Sequence, residues 1–349
     1  MIDFRYHLVS IVAVFLALAI GIVLGSTELQ GSTIDALTSL SNSQKNQLSA
    51  ADTQLHSANE LVNASNAFLA TAESKLVSDL LPADKLVIVT EPGAPSGVIS
   101  GIKQAAGLAG ATVTGEIALQ PKFNDLSGAT QANLSAINNQ LASADGDILS
   151  AGDADQTVNQ QQAAQLIATA VLNTTADEAG GLTAAQAQLL LQAYVQGGYL
   201  TATGTVTNRA TLAVLVTPAA APADGANDPA NQVLLAVAQE FAGASAATLA
   251  AGSIPGSSAS GSAISVLRGS SVSSQVSSVD NADTTLGQIS SVWALANQLA
   301  GGKPNSYGIS GASAVSPPVP LPVPSETPTA SATPSSTATG KGKKTVGNK

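Results

Sequence analysis

The chain has 349 residues, a net charge of −10, only 3% aromatic residues, two histidines and no cysteine. An acidic, aromatic-poor chain lacks the basic surface and stacking rings that nucleic-acid binding requires. Without cysteine there is no disulfide, thiolate metal site or thiol nucleophile. Both histidines, His7 and His56, precede Ala83, so residues 83–349 hold no histidine triad, histidine metal site or histidine base.

Leu8 to Leu24 is apolar or small except for Ser10, a run of 17 residues without charge. That is the short end of the roughly 17–25 residues that cross a bilayer as a helix. A cleaved signal peptide has a shorter apolar run and a small-residue cleavage site, and IGIVLGSTELQ offers no clean one. An uncleaved single-pass anchor over 8–25 is therefore expected, with the cleaved form as the alternative. Arg5 precedes the run, whereas Glu28 and Asp35 are the next charges after it. The positive-inside rule then puts residues 1–7 in the cytoplasm and the bulk of the chain outside the cell membrane. Ala17, Gly21 and Gly25 recur every four residues, a small-residue row at which two membrane helices can pack, although such residues are also simply frequent there.

A seven-residue repeat follows, assigned to a coiled-coil stalk over 32–81. Its first row is Ile34, Ser41, Leu48, Leu55, Val62, Leu69 and Leu76; its second row starts at Leu37 and continues mostly small. Sustained heptads favour paired helices, here a parallel homodimer. Pairing with another envelope protein's coil, or a lone amphipathic helix lying on its own domain, are the alternatives. At 1.5 Å per residue, the stretch from Ser32 to Leu81 would reach about 75 Å. The small-residue row is out of phase with the heptad, which predicts a break at Gly25–Gly31.

Residues 82–311 read as one α/β domain outside the membrane. KLVIVT at Lys85–Thr90 is a buried-strand run, Val98–Ala109 has helical spacing, and Ala111–Leu119 is again a strand. Helices are expected at 129–142, 160–172, 184–195, 231–242 and 286–299. Strands are expected at 147–150, 212–217, 246–250 and 274–279. Alternation of this kind implies a Rossmann-like, mainly parallel sheet. The loop EPGAPSGVISG matches neither a dinucleotide nor a phosphate-loop pattern. Asp145, Asp147, Asp153 and Asp155 lack the order of a calcium loop, and loop solvation explains them better. In SVDNADTTLG, Asp283 or Thr284 is placed to cap the next helix. From 312 to 349 the chain turns to Pro, Ser, Thr and Lys, a disordered spacer with extended proline-rich character.

Two stretches carry a resemblance. IDFRYHLVSIVAVFLALAIGIVLGS and SSVDNADTTLGQISSVWALANQLAGGKPNSYG are similar to the N-terminal and C-terminal signatures of the actinobacterial MctB-like family, labelled copper transporter. The resemblance covers residues 1 to about 311. It implies an envelope protein tied to copper homeostasis, with transport or channel activity. A related SteB-like branch implies a septal partner in envelope remodelling, working through coiled-coil contacts with a membrane protein and a peptidoglycan hydrolase. Asp280, Asn281, Asp283 and Gly287 belong to the second signature, without an implied role. Copper(I) wants thiolate or thioether and copper(II) wants imidazole, and this chain has no Cys, one Met and two His. The expectation is therefore a non-enzymatic, dimeric scaffold or regulator with no catalytic, cofactor or metal residues. Its expected partners are the lipid bilayer, a second copy and an envelope coil; copper efflux is the alternative.

Overall fold

The computed structural model describes residues 4–145, 157–173, 182–254, 256–317 and 347, with the side chains of 26–33, 143–145 and 258 outside that description. The chain divides into two compact units, 1–68 and 69–349.

The first unit is helical. Helix α1 runs Phe4–Val77 over 74 residues. No proline interrupts this range, and the expected break at Gly25–Gly31 is absent. A glycine inside a helix costs only about 1 kcal/mol relative to alanine, which the flanking helical sequence offsets. The window Phe4–Gly25 is apolar enough to cross a membrane and none of it is buried. α1 stops at Val77, four residues short of the expected end of the stalk. Asp79 and Ala83 take left-handed backbone angles, φ 58° and 64°, around Pro82, which cannot continue a helix.

The second unit is built on a sheet of seven strands: β1 Lys85–Thr90, β2 Thr112–Leu119, β3 Leu200–Gly204, β4 Leu212–Val216, β5 Ala247–Ala251, β6 Ser277–Val279 and β7 Ser306–Tyr307. Their order is β3-β2-β1-β4-β5-β6-β7. Only the β2–β3 pair is antiparallel; the others are parallel. The order reverses between β1 and β4, the switch point at which doubly wound sheets leave a crevice beyond their strand ends.

Among the described residues seven further helices join the strands: α2 Ser96–Leu108, α3 Gly128–Asp145, α4 Val158–Val171, α5 Ala184–Gln196, α6 Pro229–Ala244, α7 Ala263–Gly269 and α8 Thr285–Leu299. Successive strand residues point to opposite faces, so β1 feeds two cores. Val87 and Val89 pack with Leu134, Ile167, Leu190, Val233 and Ile264 from α3 to α7. Leu86 and Ile88 pack with Ile102 of α2, Val292 of α8 and Val77 at the end of α1. Strands buried on both faces need uninterrupted apolar sequence, which KLVIVT and LAVLV provide.

The structure adds β3, β7 and α7, which no sequence expectation included. The expected strand at 147–150, with Asp147, Asp153 and Asp155, lies outside the described residues, as does most of 312–349. The fold continues past residue 311, because Gly308 N donates to Ala314 O and Ser313 N to Ser306 O, both at 3.0 Å.

Candidate functional site

On α1 the first-row residues separate into two groups. Ile34, Leu48, Leu55 and Val62 are 58%, 67%, 61% and 54% exposed. Leu37 is exposed as well, and Ala17, Gly21 and Gly25 lie on the exposed apolar part of the helix. The last two residues differ. Leu69 packs against the core of its own α/β unit. Leu76 is partly covered, and its carbonyl accepts from Trp293 Nε1 at 2.8 Å. The lone-helix alternative thus describes the final turns, where Leu69, Glu73 and Val77 line up at four-residue intervals and Glu73 and Val77 are buried.

The signature residues after β6 lie in and beside a hydrogen-bonded turn. Asp280 is fully buried and its Oδ2 lies 2.9 Å from Arg268 Nη1. The same carboxylate accepts from the Ile309 and Ser310 amides at 2.9 and 2.8 Å. Arg268 reaches further, donating to Ser278 Oγ at 2.9 Å, to Tyr307 O at 2.7 Å and to Ser310 O at 2.5 Å. Together they clamp α7, β6 and the segment after β7. Asp283 does not cap α8; its Oδ1 accepts from Ile254 N at 3.1 Å. Thr284 is the cap, accepting from Gly287 N at 3.1 Å. At Gly287 any Cβ would run into the Asn281 backbone carbonyl, so that turn requires glycine. Asn281 is buried, and its Oδ1 has no hydrogen-bond partner.

A crevice of about 280 Å³ lies at the switch point, its lining including Glu91, Asn124, Asn231 and the prolines Pro92, Pro121, Pro218 and Pro222. Glu91 extends β1, its N–H donating to Val216 O at 3.0 Å. Its side chain is only 6% exposed, and burial pushes its carboxyl up to about 8. Nothing in the sequence singled out this glutamate beyond its place in the first glycine-containing loop. A second hollow, about 360 Å³, opens near the start of β1 and β4. There Lys85 Nζ is engaged by Asn208 Oδ1 at 2.8 Å and Thr211 Oγ1 by Asp84 Oδ1 at 3.2 Å.

Among the described residues no three His, Cys, Asp or Glu side chains converge. His56 Nε2 stands 3.4 Å from Glu60 Oε1 on the exposed surface of α1. These features define a mixed α/β protein with a parallel-rich sheet and an apolar N-terminal helix. The chain belongs to the family described as "Copper transport outer membrane protein, MctB", whose model matches residues 1–317. It is similar to "Copper transporter MctB" of Mycobacterium tuberculosis and of Mycobacterium bovis, each 31% identical over 201 residues. That match spans 58% of this chain and 62% of the relative's length. "Copper transporter MctB" of Mycobacterium leprae is 30% identical over 141 residues, 40% of this chain and 44% of that protein.

Proposed function

We propose that this chain is a membrane-tethered subunit of an envelope copper-export assembly, contributing by helix pairing rather than by its own copper ligands. The observation that carries the proposal is the exposed row Ile34, Leu48, Leu55 and Val62 on α1. Leaving four large apolar side chains in water forgoes roughly 1.5–3 kcal/mol each, and a second helix recovers it by accepting them as knobs. The partner is a second copy of this chain, or the coil of another envelope protein.

The apolar window Phe4–Gly25 is the tether. Arg5 ahead of it favours a cytoplasmic N-terminus and an extracytoplasmic α/β unit. The family's description names the outer membrane. Strands that span a membrane form closed barrels, whereas this sheet is open and mostly parallel, so a helix is the better candidate for the tether. Copper passing through a single helix would need a pore built from several copies.

Copper enters through the relatives' name, and the ligand chemistry argues for an indirect part. Soft thiolate or thioether ligands are wanted for copper(I), and the chain supplies a single methionine and no cysteine. A second role, scaffolding of envelope proteins without copper, rests on the same exposed row.

One experiment separates the two. Cellular copper is measured in a deletion strain complemented with the wild-type chain or with Leu48→Asn, Leu55→Asn and Val62→Asn combined. Raised copper on deletion, cured by the wild type but not by the triple variant, supports an export assembly. Unchanged copper on deletion leaves the scaffold. A triple variant that still cross-links to its partners and restores copper would sink both.

A further inference from the structure

We propose that the switch-point crevice binds a primary ammonium group on a short apolar chain, with the Glu91 carboxylate and the Asn124 side-chain oxygen as its acceptors. The crevice has no positive charge of its own. Glu91, nine-tenths buried, has no hydrogen-bond or ion-pair partner for its carboxyl among the described residues. Asn124 Oδ1 is buried in the same lining and is also unpartnered. A buried acceptor without a partner is costly unless a bound group completes it, and the Glu91 carboxyl lines the same space.

The protein offers no charged donor there. Four of the lining residues are prolines, which have no N–H. Asn231 spends both protons of its Nδ2 on Gly225 O and Gly261 O, each at 2.9 Å. The first turn of α6 is occupied too, because Ala230 N donates to Asp228 Oδ1 at 2.9 Å. No Lys, Arg or His lines the crevice. The positive charge that pairs with an ionised Glu91 must therefore come from the ligand, while the proline and alanine walls suit an aliphatic chain. The volume lies just below the range of ordinary ligand pockets, about 300–1,000 Å³, so the bound group is small. Two oxygens without nitrogen or sulfur make a poor copper site.

A free amine and the lysine side chain of a protein both carry such an ammonium, and two probes distinguish these sources. The full chain in detergent is titrated calorimetrically with n-butylammonium chloride and with Nα-acetyl-lysine methylamide; n-butanol and copper(II) are the controls. Saturable binding of one or both ammonium probes is expected, the tighter one identifying the source. Binding should release a proton below pH 8, because Glu91 has to ionise to pair with the cation. Kd then falls nearly tenfold for each pH unit between 6 and 7.

Glu91→Gln should weaken binding at least tenfold and abolish its pH dependence. Asn124→Ala should weaken it severalfold, and it keeps the test open should the Glu91 variant fail to fold. Equal affinity for n-butanol, preference for copper(II), a Kd independent of pH, or unaltered binding in both variants would each overturn the proposal. These outcomes are independent of copper export, because the α1 row is untouched.

Discussion

Arg268 Nη1 stands 2.9 Å from Asp280 Oδ2, with the carboxylate fully buried and the guanidinium 11% exposed. Each partner is held by more than the other, the acid by two backbone amides and the base by two backbone carbonyls and a serine. Removing one side leaves a buried charge without its counterpart, which costs about 3–5 kcal/mol. Asp280→Ala and Arg268→Ala should each lower Tm by roughly 10 °C, given about 2–4 °C per kcal/mol in a domain of this size. Thermal melts check this, and the double variant should lose less than the sum of the two.

Gly287 and Gly107 should respond to alanine in opposite directions. At Gly287 the added methyl would meet the Asn281 carbonyl, which cannot move without disturbing the turn into α8. Overpacking of this kind costs about 1–3 kcal/mol. At Gly107, inside α2, a Cβ meets nothing within 4 Å, so alanine should gain about 0.5–1 kcal/mol from helix propensity. Urea denaturation of the two variants decides it.

Glu91 makes the stability of the α/β unit fall as pH rises. Its carboxyl has an ordinary value of 4.5 and titrates at about 8 when folded. Between these values the native state holds a proton that the unfolded state has released. The stabilisation is complete below pH 4.5 and is lost as pH climbs through 8. The upper bound is on the order of 5 kcal/mol, at 1.36 kcal/mol per pH unit. Melts of Glu91→Gln across pH 5 to 9 should show this slope removed, and at pH 9 the variant should be the more stable protein.

Trp293 is the only tryptophan, and its indole N–H holds the Leu76 carbonyl at 2.8 Å. Trp293→Phe keeps an aromatic ring and loses that bond, at a cost of about 0.5–1.5 kcal/mol. Hydrogen exchange should quicken first in the last turn of α1, around Leu76 and Val77. Protection there that matches the wild type would show that packing of Leu69 and Val77 alone fixes the turn.

The parallel heart of the sheet was legible because strands buried on both faces must be continuously apolar. KLVIVT and LAVLV announce themselves, and β1, β2 and β4 begin and end within about one residue of expectation. β3 was missed because LTATG is an antiparallel edge, mostly exposed and free of the apolar run that marks its neighbours. β7 has two residues, too few for any pattern. The roles of Asp280 and Asp283 were hidden for another reason. Local spacing made Asp283 a plausible cap, but its partner Ile254 lies 29 positions away, and Asp280 is fixed by the distant Arg268, Ile309 and Ser310. Glu91 resembled any loop acid until the neighbouring loops closed over it. The heptad was visible, yet a repeat alone does not say where a helix begins to pack on its own domain; Leu69 marks that place in space rather than in period.

The clamp at Asp280 also sets a timetable. A chain that emerges from its N-terminus presents Arg268 and Asp280 well before Tyr307 and Ser310 exist to complete their bonds. Until residue 310 has emerged, the acid lacks its amides, the arginine lacks its carbonyls, and β6 has no β7 beside it. The α/β unit therefore completes this clamp only once residues 307–310 are present. Any truncation before residue 310 would leave a protein synthesised but never latched.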